Sequence, residues 1–194
     1  MRPVYLLLFL TLLVAWAGVP EVARAPRPPT PARSPEPARG PARVDVQVNP
    51  LVSVDLAGLQ AEILRARGKV LVLHLFQAAG PTTHKEVPEL ARVWREKADA
   101  VTVISVAGDL LTRPDTPEHR AEIQEILNRE QVTWRTLLYV GIPRDELLGT
   151  FGITSGLPAT LIFSPGGQEW ARYLRVIRSQ DILDVLEVNT RPSP

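Results

Sequence analysis

The residues of widest chemical range in this 194-residue sequence are three histidines, His74, His84 and His119, and no cysteine accompanies them. That absence removes thiolate nucleophiles, thiolate metal ligands and disulfides together. The densest polar cluster is Thr82-Thr83-His84-Lys85, which follows Gln77-Ala-Ala-Gly80-Pro81 and opens a charged amphipathic stretch. Hydroxyls, an imidazole and free amides at the positive end of a helix would hold an anion. The same residues also spell a capping box, Thr83-His-Lys-Glu86, in which the Thr83 hydroxyl accepts an amide hydrogen bond and the Glu86 carboxylate accepts one in return. The spacing favours that second reading. His74 lies within an apolar run and reads as a neutral, hydrogen-bonded core histidine. His119 sits among charges near a helix start and reads as surface. No carboxylate cluster stands beside any of them, so no metal site is expected. Nor is a cofactor, because the sequence has no phosphate loop, dinucleotide glycine pattern or nucleophile elbow.

What must position the cluster is a strand and a turn. Lys69-Val-Leu-Val-Leu-His-Leu-Phe76 is apolar apart from Lys69 and His74 and enters the Gly80-Pro81 turn. Such a run delivers the chain to a helix N-terminus, here at His84. Upstream, residues 44–48 alternate at period two, 51–56 offer a second extended stretch, and 57–67 carry Leu59, Ile63 and Leu64 on one helical face. Downstream of the turn, Val87, Leu90, Ala91, Val93 and Trp94 form one apolar stripe, with Pro88 placed to kink the helix. A second apolar strand follows over 100–107, then a polar loop over 108–117, a helix over 118–130, a strand over 134–140 and a short helix over 143–150. Ser155-Gly-Leu-Pro158 turns into a strand over 159–163, and Ser164-Pro-Gly-Gly167 is a hairpin turn to a strand over 169–175. Ser179 is placed to cap a terminal helix through 188. Parallel crossovers followed by an antiparallel hairpin predict an α/β fold, a mixed sheet with helices on both faces.

The charges balance, 22 Lys and Arg against 21 Asp and Glu for a net +1, and the four tryptophans are dispersed. Neither feature suits a nucleic-acid partner. Residues 1–19 hold an apolar run from Val4 to Val19, interrupted only by Thr11. Sixteen such residues fit a signal peptide better than a spanning helix, which needs about 20. Ala15-Trp16-Ala17 is the preferred cleavage site, because Pro26 directly follows the alternative Ala23-Arg24-Ala25. An uncleaved membrane anchor is the other reading. Residues 20–43 are almost wholly Pro, Ala and Arg and make a semi-rigid linker of roughly 3 Å per residue. The expected layout is an exported, periplasmic or extracytoplasmic domain over 44–194, tethered if the first segment stays in the membrane.

The ordered signals resemble the thioredoxin fold, and specifically the TlpA-like branch of exported thioredoxin-like proteins. The resemblance is carried by Gly68-Lys-Val-Leu-Val-Leu-His-Leu-Phe76, Lys85-Glu-Val-Pro-Glu-Leu90, Phe151-Gly-Ile-Thr-Ser-Gly-Leu-Pro158-Ala-Thr160 and the Ser164-Pro-Gly-Gly167 hairpin. Counting back from Pro88, the family's Trp-Cys-x-x-Cys falls on Ala79-Gly80-Pro81-Thr82-Thr83. The resemblance thus implies a thiol-disulfide oxidoreductase fold with Gly80 at the nucleophilic cysteine and Thr83 at the resolving one. Neither residue can attack or re-form a disulfide, so such a member would be redox-inactive. It also implies that Pro158 is the cis-proline facing the turn, that Leu157 pairs with extended polypeptide, and that His74 is the polar residue buried behind the site. The expectation is a module without catalytic residues, holding a protein or extended peptide at Gly80, Pro81, Thr82, Thr83, His84, Leu157 and Pro158. The alternatives are an oxidoreductase that works only with a cysteine-bearing partner, and a domain whose fold alone matters.

Overall fold

Seven consecutive residues, Val70–Phe76, are buried without exception, as happens when helices cover both faces of a sheet. They belong to a computed structural model that describes residues 49–142 and 145–190. The alternating stretch expected over 44–48, the apolar leader and the Pro/Ala/Arg tract lie outside the described residues. In chain order the elements are β1 (Val52–Val54), α1 (Leu56–Arg65), β2 (Val70–Phe76), α2 (Thr83–Lys97), β3 (Val101–Ala107), a 3-10 turn (Asp109–Leu111), α3 (Pro117–Arg129), β4 (Arg135–Tyr139), α4 (Glu146–Thr150), β5 (Ala159–Phe163), β6 (Glu169–Tyr173) and α5 (Ser179–Thr190).

The strands form one six-stranded sheet in the order β1-β4-β3-β2-β5-β6. The first four in that order run parallel, while β5 is antiparallel to β2 and β6 to β5. This is the mixed sheet that the pattern of crossovers and hairpin predicts. Side chains alternate across the pleat, so Val70, Val72 and Phe76 meet Val87 and Leu90 of α2, Ile123 of α3 and Ile182 of α5. Leu71, Leu73 and Leu75 face the other way, toward Leu59 of α1 and Leu147 of α4.

Two helix starts follow local rules. Asp55 caps α1, its Oδ1 accepting from the Gly58 amide at 2.8 Å, and Thr116 caps α3 ahead of Pro117. A third does not. Ser179, expected as the cap of α5, is already its first helical residue, and its amide donates to Glu89 Oε2 of α2 at 2.7 Å. The carboxylate of a neighbouring helix takes the place of a cap hydroxyl and ties α5 to α2. Hydrogen bonding from the Ser179 amide, and from its side chain, holds the Glu89 carboxyl below the usual carboxylate range.

Candidate functional site

Beyond Phe76 the chain is wound around one oxygen. The Gln77 carbonyl accepts from Gly80 N at 2.8 Å and from Thr83 Oγ1 at 2.8 Å. A Cβ on Gly80 would stand 2.8 Å from that same oxygen, closer than close-packed atoms approach. Glycine is therefore a steric requirement of the turn as it is folded.

The outer part of the turn is braced from the segment that reads in the sequence as a polar loop over 108–117. Asp109 is 1% exposed; its Oδ2 accepts from Ala78 N at 2.8 Å and its Oδ1 from Ala79 N at 2.9 Å. One carboxylate thus satisfies two consecutive amides through charge-assisted bonds. The available signal was positional. Phe76 pairs with Ala107, so the residue two beyond β3 lies beside the residue two beyond β2, where an acid after an apolar strand is unusual.

Gly108 brings in the third segment. Its amide donates to Phe76 O at 2.8 Å, and a Cβ there would meet Leu157 Cδ1 at 2.6 Å. Leu157 packs into the space that the glycine leaves. The Leu157–Pro158 peptide bond is cis, and β5 starts just after it, Ala159 pairing with Leu75. The turn and the proline loop thus occupy one end of the sheet. Leu157 and Pro158 are partly exposed, and no described residue hydrogen-bonds the main-chain N–H or C=O of Leu157. Of the turn residues, Pro81 and His84 are exposed, Gly80 and Thr82 half-buried, and Thr83 buried.

The capping box is not formed. The helix starts at Thr83, one residue earlier than expected, and Thr82 precedes it without a side-chain cap. Thr83 is itself helical and spends its hydroxyl as a donor to Gln77 O, while the Thr82 hydroxyl donates to Glu86 Oε2 at 2.9 Å. The amides of Lys85 and Glu86 bond Thr82 O. A carboxylate already sits at this helix end, which removes the support for an anion site there. Glu86 is fully buried and its Oε1 has no partner among the described residues. Burial pushes its carboxyl up, partly offset by the Thr82 bond and by the nearby Ile177 amide.

His74 is the core histidine the sequence suggested. It is 1% exposed, with Nδ1 at 3.1 Å from Thr160 Oγ1, and its ring stacks on Phe76 at 5.1 Å between centroids. Burial pushes its pKa down to about 3, so the ring is neutral. Register places it in a buried polar row, Thr160-His74-Ser105-Thr136. The Ser105 hydroxyl accepts from Trp134 Nε1 at 2.8 Å, whereas His74 Nε2 has no partner among the described residues. His119 lies at the start of α3 with Nδ1 against Pro114 O. Among the described residues no group of histidines and carboxylates is arranged to hold a metal ion.

Solved structures share this architecture. A DsbF homologue from Corynebacterium diphtheriae superposes with a TM-score of 0.54 at 17% identity, over 65% of this chain and 75% of that one. The thioredoxin domain of a thiol-disulfide oxidoreductase from Bacteroides vulgatus gives 0.51 at 19% identity, over 66% and 84%. A secreted Mycobacterium tuberculosis disulfide oxidoreductase homologous to Escherichia coli DsbE gives 0.50 at 16%, over 64% and 85%. No family model matches the chain, and no curated protein matches it. At such identities the likeness speaks for fold. The chain has a thioredoxin-like α/β fold, similar to those of thiol-disulfide oxidoreductases, and carries no cysteine.

Proposed function

We propose that the chain is a non-catalytic binding module, carried out of the cytoplasm by its N-terminal segment, that holds an extended polypeptide across the end of the sheet. The peptide would lie between the Gly80–Thr83 turn and Leu157-Pro158. One observation carries this reading: the turn is braced by Asp109 and by Gln77 O, yet the main-chain groups of Leu157 beside it have no partner among the described residues. A free N–H and C=O at the end of a sheet are what an extended segment pairs with. Thiol-disulfide exchange begins with a thiolate, and none of the 194 residues supplies one. Any disulfide chemistry at this groove therefore needs a cysteine from another chain. Export rests on the apolar 4–19 layout and agrees with the secreted character of one structural neighbour.

A photo-crosslinking residue placed at Thr82 or at Leu157 of the full chain tests the groove. Irradiation with a reduced, carboxymethylated unfolded protein should give adducts from both positions that excess unlabelled peptide competes away, and none from exposed Gln180 on α5. Equal yields from all three positions, or none from any, overturns the groove. Turnover of insulin disulfides by the purified protein alone overturns the non-catalytic reading.

A further inference from the structure

The sheet face opposite α2, α3 and α5 carries a cleft that the turn does not use. α4 is only five residues long, and between α1, the chain after α4 and the sheet an opening of about 330 Å³ remains. Small-molecule sites begin at about 300 Å³. Its walls are Ile63 and Leu64 of α1, Leu71 of β2, Phe151 after α4 and Phe163 of β5. Leu64 is 54% exposed, an apolar wall facing an opening with nothing described against it.

The charge at this opening has one sign. Among the described residues no carboxylate lines it, and the charged ones that do are Arg67 and Lys69. Lys69 is already engaged, its Nζ donating to Ala98 O at 3.0 Å. Arg67 has no ion-pair partner among the described residues. Its guanidinium lies over Gly167 of the β5–β6 hairpin, with Nε and Nη2 each 3.5 Å from where a Cβ would stand. Apolar depth with a single uncommitted guanidinium at the rim selects a ligand with a short hydrocarbon body and one anionic head. A guanidinium offers such a head two parallel N–H donors.

We propose that this cleft binds a soluble anionic amphiphile, with its tail between Leu64, Leu71, Phe151 and Phe163 and its head on Arg67. The opening falls at the lower end of the range of small-molecule sites, which suits a short alkyl chain such as that of decanoate. The proposal is independent of the polypeptide groove, which lies at the end of the sheet.

Titration calorimetry of the full-length protein with decanoate, decanol and decyltrimethylammonium tests it, after circular dichroism melts show that Arg67→Glu and Leu64→Trp fold. Both substitutions fall on exposed positions. Decanoate should bind saturably, decanol and Arg67→Glu should each weaken binding by about tenfold, and Leu64→Trp should abolish it by filling the mouth. No saturable binding of decanoate overturns the proposal. Equal affinity for decanol overturns the head-group assignment, and unchanged affinity in Leu64→Trp overturns the location. Sedimentation with anionic phospholipid vesicles in place of decanoate binding assigns the face to a membrane and overturns the soluble ligand.

Discussion

At the scale of single residues, His74 is the group whose chemistry burial has changed most. The other six positions of β2 are apolar, and the imidazole is held neutral among them with its pKa down to about 3. An unfolded chain titrates the same ring near about 6.5. Between those values the unfolded state takes up a proton that the folded state refuses. Stability is therefore complete above about pH 6.5 and falls as the pH drops toward 3, with a limiting slope of about 1.4 kcal/mol per pH unit. Urea unfolding between about pH 7.5 and about pH 4 should show that slope in the wild type and lose it in His74→Gln. An unaltered acid limb in the variant would assign the slope to carboxylates instead. The sequence pointed to this residue correctly because a titratable group inside an apolar strand is a local anomaly. It gave no hint that Nε2 would lack a partner among the described residues, since that depends on which atoms other elements bring to the face.

Among elements, the turn is braced by the 3-10 turn after β3 as well as by its own helix. Asp109 accepts from two amides of a segment about 30 residues earlier, and Glu89 accepts from the first amide of α5 across 90 residues. Strands, helices and their order were readable in the sequence because apolar periodicity is written into each element. These caps were not, because their acceptors come from other elements. At Thr83 the local rule was present and lost: the hydroxyl made its bond to Gln77 O, and the helix began one residue early to let it. Asp109→Ala leaves the buried Ala78 amide without an acceptor and turns that of exposed Ala79 out to water, a loss of about 1–3 kcal/mol. Asp109→Asn, which keeps one acceptor oxygen, should lose less. Urea midpoints give the ranking, and hydrogen exchange should quicken at the 78 and 79 amides before it does in β2. An Asp109→Ala protein with wild-type midpoint and exchange would mean that the turn holds itself.

For the molecule as a whole, the question is whether the fold has merely lost two thiols or has also closed over their positions. The order of crossovers and hairpin was enough to suggest the thioredoxin-like architecture, but the sequence could not show the second point, which is a matter of distances. Gly80 admits no Cβ without displacing Gln77 O, and Thr83 is buried with its hydroxyl committed to that oxygen. Restoring the pair as Gly80→Cys with Thr83→Cys therefore does two kinds of damage, overpacking at one site and a lost hydrogen bond at the other. The reduced double variant should be less stable than the wild type by roughly 1–3 kcal/mol. Oxidation would close a four-residue loop, a constraint worth about 2 kcal/mol in the chain-entropy account, so its urea midpoint should rise when dithiothreitol is withdrawn. The wild type has no cysteine, and its midpoint should be the same with and without the reductant. A reduced variant as stable as the wild type would show that the turn yields to a Cβ at little cost. In that case the site would be a thioredoxin-like turn missing only its sulfurs, rather than one rebuilt around a single carbonyl.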